Sequence, residues 1–128
     1  MSPAEKKARK DMKTVCVIGS GARELAIIRR LKLSPRCTTT VRCFGSEPNP
    51  AIAELVGSVV VGDDASPAQV LSFCKDSKAD LVIVGPPASL SAGVVDALHA
   101  DGIRALGARQ AAAAVSGKDF ARGLMKQV

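Results

Sequence analysis

Two glycines that directly follow an apolar run are the residues of this sequence best suited to bind a ligand. The run Thr14–Ile18 is followed at once by Gly19-Ser20-Gly21, and Arg23 then opens an amphipathic segment. Glycines leave backbone N–H groups uncovered, and a helix N-terminus carries partial positive charge, so such a turn favours an anion. Arg23 can add a bidentate contact to a phosphate. The spacing therefore predicts a phosphate-binding turn between the first strand and the first helix.

Three other interpretations of this turn are a dinucleotide site, a GxxxxGK[ST] phosphate loop and a turn that holds no ligand. In a dinucleotide fingerprint the third glycine would stand where this chain has Glu24, and Phe44-Gly45-Ser46 rather than an acid ends the second strand, which disfavours a nicotinamide dehydrogenase. No GxxxxGK[ST] phosphate loop occurs. Glu24 either accepts a sugar hydroxyl or favours the helix dipole. A tight turn that holds no ligand stays open as an alternative.

The other side chains that could act in catalysis or metal binding have ordinary structural explanations. Asp63 and Asp64 follow the third predicted strand, where paired acids either bind magnesium or, more commonly, form a turn. His99 lies near a helix end, where a partly exposed histidine interacts with the helix C-terminus. No CxxC spacing occurs and His99 is the only histidine, so a closed zinc site is not expected and no metal ligand is assigned. No catalytic residue is assigned either. We expect reduced, buried thiols of a cytoplasmic protein. The cysteines are Cys16, Cys37, Cys43 and Cys74.

Strand and helix patterns alternate along the chain. The predicted strands are 14–18, 38–44, 58–61, 80–84 and 103–106, and the predicted helices are 23–33, a turn at 51–55, 66–77, 91–100 and an alanine-rich helix from about Arg109. This alternation predicts an α/β fold, a small doubly wound five-stranded parallel sheet with helices on both faces. Ligands of such sheets bind beyond the carboxyl ends of the strands. A glycine-containing loop follows each predicted strand, which places one site along one edge.

Composition and charge restrict the class of protein. The 128 residues are 47% hydrophobic and 23% charged, and no apolar run approaches the ~20 residues of a membrane helix. Residues 1–13 carry half of the net charge of +6 and predict a basic, flexible tail, with residues 14–128 forming a single Rossmann-like domain. The tail lacks the features of a signal peptide. Trp and Tyr are absent and Phe is rare, so base-stacking recognition of nucleic acid is not expected.

Several ordered segments resemble one enzyme family. VCVIGSGARELA is similar to the opening of phosphoribosylamine–glycine ligases (glycinamide ribonucleotide synthetases), which typically read VLVIGSGGREHA. The resemblance covers about residues 14–128. Three further segments that match the family are LKLSP at 31–35, Asn49-Pro50 where the family has an NPG loop, and ADLVIVGPPASLSAGVVD at 79–96. Residues 105–125 resemble the family segment FGPTKAAAQLEGSKAFAKDFM.

The resemblance implies a specific reaction and separate binding roles for the domains of the enzyme. Members of the family join glycine to 5-phosphoribosylamine with ATP and magnesium in de novo purine synthesis, by way of a glycyl phosphate. Their N-terminal, pre-ATP-grasp domain is a doubly wound sheet, and ATP-grasp domains further along the chain hold nucleotide and metal. This sequence ends about where those domains would begin. It therefore resembles an N-terminal domain that contributes a phosphoribosyl site and is not catalytic alone.

The resemblance also implies site residues, some of which depart from the family pattern. The substrate-binding residues it implies are Gly19, Ser20, Gly21, Ala22, Arg23, Glu24, Asn49, Pro50, Gly85 and Pro86. Lys118 matches a lysine that approaches ATP phosphates, or is an exposed helix lysine. The departures are Ala22 and Ala51 for glycine, Leu25 for histidine and Pro87 for glutamate. A non-catalytic binding or scaffolding module, with the basic tail making contacts, is the alternative that these departures leave open.

Overall fold

In a computed structural model that describes residues 14–33 and 40–107, strands and helices alternate as predicted. The strands are β1 (Thr14–Ile18), β2 (Thr40–Gly45), β3 (Val59–Val61), β4 (Leu81–Val84) and β5 (Ala105–Gly107). The helices are α1 (Ala22–Leu33), α2 (Pro50–Val56), α3 (Pro67–Asp76), α4 (Pro87–Ser91) and α5 (Val94–Ala100). The predicted α/β class is confirmed.

The sheet is parallel throughout and has the order β3-β2-β1-β4-β5. The chain builds outward from β1 to one edge and then returns to add β4 on the other side of β1. The carboxyl ends of β1 and β4 consequently lie side by side, with Ile18 paired to Val84. This is the topological switch point, where open α/β sheets bind their ligands.

Helices cover both faces of the sheet, as predicted. On one face, α1 and α2 bury Ile27, Ile28, Leu31 and Ile52 against Val17 and its neighbours. On the other face, α3 and α5 bury Val70, Phe73, Cys74, Val94 and Leu98. Residues 15–18 of β1 have no exposed surface, because β1 is the central strand and is covered from both sides. Continuous apolar runs of this kind are typical of parallel strands.

The structure divides the predicted helix 91–100 into two helices. Helix α4 starts earlier, at Pro87, because proline at the first helical position loses no hydrogen bond there. Gly93 then adopts a left-handed conformation (φ 82°) and separates α4 from α5. Helix α2 is also longer than the single turn predicted at 51–55, since the side chain of Asn49 caps its N-terminus. The prediction for α3 is confirmed, with Ser66 as the N-cap and Pro67 at the first position.

The buried face of α1 agrees with the predicted one in part. The sequence pattern predicts an apolar side made of Leu25, Ala26, Ile28 and Leu31. Ile28 and Leu31 are buried as predicted, whereas Leu25 is only partly buried and Ala26 is exposed. The residues that α1 buries follow the spacing i, i+3, i+4, i+7, and they include one carboxylate. They are Glu24, Ile27, Ile28 and Leu31.

Some predictions concern residues outside 14–33 and 40–107. These are the basic tail 1–13, the helix end at Ser34-Pro35, Cys37, the alanine-rich helix from about Arg109, and Lys118. Among the helices of the described ranges, none has the length and apolar character needed to cross a membrane.

Val17→Ala and Val61→Ala remove the same two methyl groups, one pair from a buried site and the other from an exposed site. Val17 is fully buried in the central strand, whereas Val61 lies on an edge strand with 54% of its surface exposed. We expect V17A to lower the free energy of unfolding by about 2–3 kcal/mol, because it removes apolar contacts and leaves a cavity. V61A should change it by less than about 0.5 kcal/mol. Urea denaturation followed by circular dichroism measures both, and equal losses would contradict the central position of β1.

Candidate functional site

The loops after β1 and β4 meet at the carboxyl edge of the sheet. The N–H of Gly85 donates to the carbonyl of Ile18 (3.0 Å), and the N–H of Gly19 donates to the carbonyl of Phe44 (2.7 Å), so backbone pairing continues past the strand ends. Gly19 has φ 109°, a conformation that favours glycine. A Cβ at this position would lie 2.8 Å from Cδ of Pro86. The two loops are therefore in direct contact.

The N-terminus of α1 opens at this edge. Leu25 donates its N–H to the carbonyl of Gly21 (3.0 Å), which marks Gly21 as the residue that precedes the first helical turn. The N–H groups of a first turn have no intrahelical acceptor, and they carry the positive end of the helix dipole. The side chain of Arg23 is exposed beside them. The predicted phosphate-binding turn thus has the backbone geometry and the exposed cation that an anion needs.

Glu24 lies beneath the turn rather than on its outer surface. Only 6% of its surface is exposed, and its Oε1 accepts a hydrogen bond from the N–H of Gly21 (2.9 Å). This is the glutamate half of a capping box, in which the third helical residue reaches back to the residue before the helix. A Cβ at Gly85 would lie 2.7 Å from Cδ of Glu24. The carboxylate therefore fills the space between the two loops.

Sequence reasoning missed the burial of Glu24, although the sequence contains the signal. Glu24, Ile27, Ile28 and Leu31 have the spacing of one helix face, so the glutamate shares the face that contacts the sheet. Hydrophobicity alone instead favours Leu25, the next residue, beside Ile28 and Leu31. A glutamate three residues after Gly21, ahead of an apolar helix face, is the pattern of the acid that caps a helix.

Asn49 joins helix α2 to the turn after β1. Its Nδ2 donates to the carbonyl of Ser20 (2.8 Å), and its Oδ1 accepts from the N–H groups of Ala51 (3.0 Å) and Ile52 (3.2 Å). Pro50 occupies the first position of α2 and is exposed. The sequence placed Asn49 and Pro50 in a loop beside the site, and the structure puts that loop next to Ser20.

Cys43 contacts the same turn from inside the protein. Its thiol donates to the carbonyl of Gly19 (3.1 Å), and only 1% of the residue is exposed. Burial, with a smaller contribution from the nearby negative charge of Glu24, raises the pKa of this thiol to about 12. The sequence predicted a buried thiol here, but nothing in its local pattern indicated a contact with the loop after β1. Cys16 and Cys74 are buried and free as well, as predicted.

The two aspartates after β3 make turn contacts. Asp63 Oδ1 accepts from the N–H of Ala65 (3.0 Å), and Asp64 Oδ2 accepts from the N–H of Ser46 (3.2 Å) in the loop after β2. The hydroxyl of Ser89 donates to the carbonyl of Asp64, which ties α4 to the same turn. Across the described ranges, no group of three His, Cys, Asp or Glu side chains is arranged to hold a metal ion.

His99 lies away from this edge. It is exposed, and its Nε2 is 3.1 Å from the carbonyl of Ala105, at the start of β5. It therefore connects the end of α5 to the amino end of an edge strand. Ten predicted substrate-binding residues, by contrast, come together around the N-termini of α1, α2 and α4. They are Gly19, Ser20, Gly21, Ala22, Arg23, Glu24, Asn49, Pro50, Gly85 and Pro86.

Most of the chain is similar in sequence to known proteins. The family described as "Phosphoribosylglycinamide synthetase, N domain" matches residues 13–116. A phosphoribosylamine–glycine ligase of Brucella melitensis is 40% identical over 111 residues, which are 86% of this chain and 25% of that protein. The ligase of Corynebacterium ammoniagenes is 40% identical over 116 residues, covering 88% of this chain and 26% of that protein. The chain thus spans about a quarter of the length of these relatives.

Solved structures share the fold. A structure described as glycinamide-RNase-transformylase T from Mycobacterium tuberculosis has a TM-score of 0.59 at 15% identity, over 91% of this chain and 32% of that chain. A UDP-N-acetylmuramate:L-alanyl-gamma-D-glutamyl-meso-diaminopimelate ligase from Neisseria meningitides has a TM-score of 0.53 at 22% identity, over 77% and 29% of the two chains. At these identities the likeness concerns the fold alone.

The raised pKa of Cys43 predicts a pH dependence of stability. Above pH 9 the thiol ionises in the unfolded chain, whereas the folded protein keeps it protonated until about pH 12. The unfolded state therefore binds fewer protons, so the free energy of unfolding falls as pH rises between these values, by up to ~1.4 kcal/mol per pH unit. Urea denaturation at pH 8 to 10.5 should show a shallower fall for Cys43→Ala than for the wild type. Parallel curves would contradict the burial of this thiol.

Proposed function

Because the chain belongs to the family of the phosphoribosylglycinamide synthetase N domain, we propose that it supplies the phosphoribosyl-binding site of a phosphoribosylamine–glycine ligase. The proposed activity of the whole protein is the ATP-dependent joining of glycine to 5-phosphoribosylamine in purine synthesis. This chain would bind the phosphorylated ribose and present it to domains that lie further along the parent protein.

The observation that carries the proposal is the open N-terminus of α1 beside the exposed Arg23. Phosphate is a dianion near neutral pH, and it gains from first-turn N–H groups and from the helix dipole together. The guanidinium of Arg23 adds a charge-assisted, planar pair of donors. Ser20 and Asn49 border the same turn, and Asn49 holds the carbonyl of Ser20 in place.

The ribose side of the proposed site has fewer polar groups. Pro87, which stands where the family has a glutamate, begins α4 and carries no acceptor for a ribose hydroxyl. The ring of Pro86 lies against Gly19 at the switch point. The phosphate contacts therefore supply most of the recognition in this proposal.

A dinucleotide is a poorer candidate for the same turn. The third glycine of the dinucleotide fingerprint lets the helix approach the strand closely. In this chain that position is Glu24, whose carboxylate is buried under the turn. A pyrophosphate drawn in toward the sheet would meet this negative charge, whereas a single phosphate on the outer surface of the turn would not.

Neither ATP nor magnesium is assigned to the described residues in this proposal. No cluster of metal-ligating side chains occurs within 14–33 and 40–107, and the lysine assigned to ATP, Lys118, lies outside these ranges. We therefore assign nucleotide and metal binding to ATP-grasp domains of the parent protein. A cytoplasmic location is proposed with this function, and the buried, free thiols of Cys16, Cys43 and Cys74 are in keeping with it.

Binding of ribose 5-phosphate tests the proposal directly. Titration of the ¹⁵N-labelled chain should shift the amide resonances of residues 19–24 in a saturable way, and ribose without phosphate should leave them unchanged. Arg23→Ala should weaken the affinity about 10- to 150-fold, because it removes a charge-assisted contact of the order of 1.5–3 kcal/mol.

Arg29→Ala is the matched control for Arg23→Ala. Arg29 is also an exposed arginine of α1, but it lies nearly two turns from the N-terminus, so its loss should reduce the affinity less than about twofold at 0.15 M salt. Equal losses in the two variants would indicate general attraction to a basic helix and contradict the site. Unchanged amide resonances at residues 19–24 would contradict the proposed function.

A further inference from the structure

We infer that Glu24 is a positioning residue of the phosphate site: its buried carboxylate holds the glycine turn of residues 19–21 in shape, and the ligand does not touch it. The inference rests on the proposed function, since it concerns how that site is built. It differs from the expectation drawn from the sequence, in which Glu24 faces the phosphoribosyl group.

The contacts of the Glu24 carboxylate are with the loops around it. Its Oε1 accepts the N–H of Gly21 at 2.9 Å. A Cβ at Gly19 would lie 2.7 Å from this oxygen, and a Cβ at Gly85 would overlap with Oε2. The carboxylate therefore lies against the backbone of both loops, which can approach it only because neither residue has a side chain.

The negative charge of Glu24 also favours a phosphate position away from this carboxylate. A negative charge at the third position of α1 interacts favourably with the positive end of the helix. A phosphate moved toward the same point would be repelled by that charge at short range. The anion is therefore expected outside the turn, on the N–H groups of Ala22 and Arg23, with Glu24 on the opposite, buried side.

Gly85 and Gly19 differ in a way that allows a test. The three atoms nearest to a Cβ at Gly85 all belong to Glu24, so that side chain is the first obstacle to an alanine at 85. A Cβ at Gly19 also meets the ring of Pro86 (2.8 Å from Cδ), and φ at this residue is 109°. An alanine at 19 is thus strained whether or not the carboxylate is present.

A double-mutant cycle on the full chain measures the contact between Glu24 and the loop. Gly85→Ala should lower Tm by about 5–10 °C in the wild type, because the carboxylate must leave its position and the Gly21 N–H loses its acceptor. In the Glu24→Ala background the same substitution should lower Tm by less than about 2 °C. Gly19→Ala is the matched control, and its effect should persist in that background. Additive effects at position 85 would overturn the inference.

Ribose 5-phosphate binding separates positioning from direct contact. Glu24→Ala should weaken binding at least about tenfold, because the turn loses its support. Glu24→Gln keeps the shape and an acceptor for the Gly21 N–H, so it should bind ribose 5-phosphate as tightly as the wild type, or more tightly because the repelling charge is gone. The amide resonance of Gly21 reports whether the turn keeps its conformation in each variant.

Each remaining outcome has a distinct meaning. If Glu24→Gln weakens binding as much as Glu24→Ala while the Gly21 resonance is unchanged, the carboxylate contacts the ligand and the inference is wrong. If the wild-type chain binds no ribose 5-phosphate, the proposed function fails, and the ligand half of this inference fails with it. The cycle at position 85 still decides in that case whether Glu24 shapes the turn.

Discussion

The carboxylate of Glu24 lies where the first strand passes into the first helix, and the carboxyl edge of the sheet is arranged around it. Burying a carboxylate costs free energy unless it is hydrogen-bonded, and the N–H of Gly21 supplies a bond of about 1.5–3 kcal/mol. The loops after β1 and β4 lie against this group at Gly19 and Gly85, where a Cβ would collide with it. The carboxylate can therefore occupy this position only because residues 19 and 85 are glycines.

The strand order makes this packing possible. Because β1 and β4 are neighbours, residues 19 and 85 are adjacent in space although they are far apart in sequence. On the other side of β1, the side chain of Asn49 holds the carbonyl of Ser20, and the thiol of Cys43 holds that of Gly19. The turn after β1 is thus supported from both neighbouring strands. A site supported in this way presents its N–H groups to a ligand without a further cost of ordering.

Much of the fold could be predicted from local patterns. Runs such as 14–18 and 80–84 are apolar throughout, which is typical of strands buried on both faces, and Ser66-Pro67 is an unambiguous helix start. The exceptions have local causes. The predicted helix 91–100 is confirmed from Val94 onward, but Gly93 ends it on the N-terminal side and a separate helix starts earlier, at Pro87. In α1 the burial of Ile28 and Leu31 is confirmed, whereas hydrophobicity favoured Leu25 over Glu24, which the helical spacing places on the buried face.

The sequence by itself determined the alternation of strands and helices, the glycine turn at the start of α1 and the resemblance to a family. These properties depend on residues that are close together along the chain. The hydrophobic pattern of a short segment predicts a strand or a helix, and the backbone freedom of glycine predicts a turn. Only the tertiary structure decided that Cys43 contacts Gly19 and that Gly85, against the carboxylate of Glu24, has no room for a side chain. Those contacts join residues from different strands and loops, so they exist only once β1 lies between β2 and β4. The glycine turn and the spacing that buries Glu24 were visible in the sequence, but the contacts that Asn49 and Cys43 make with the turn were not.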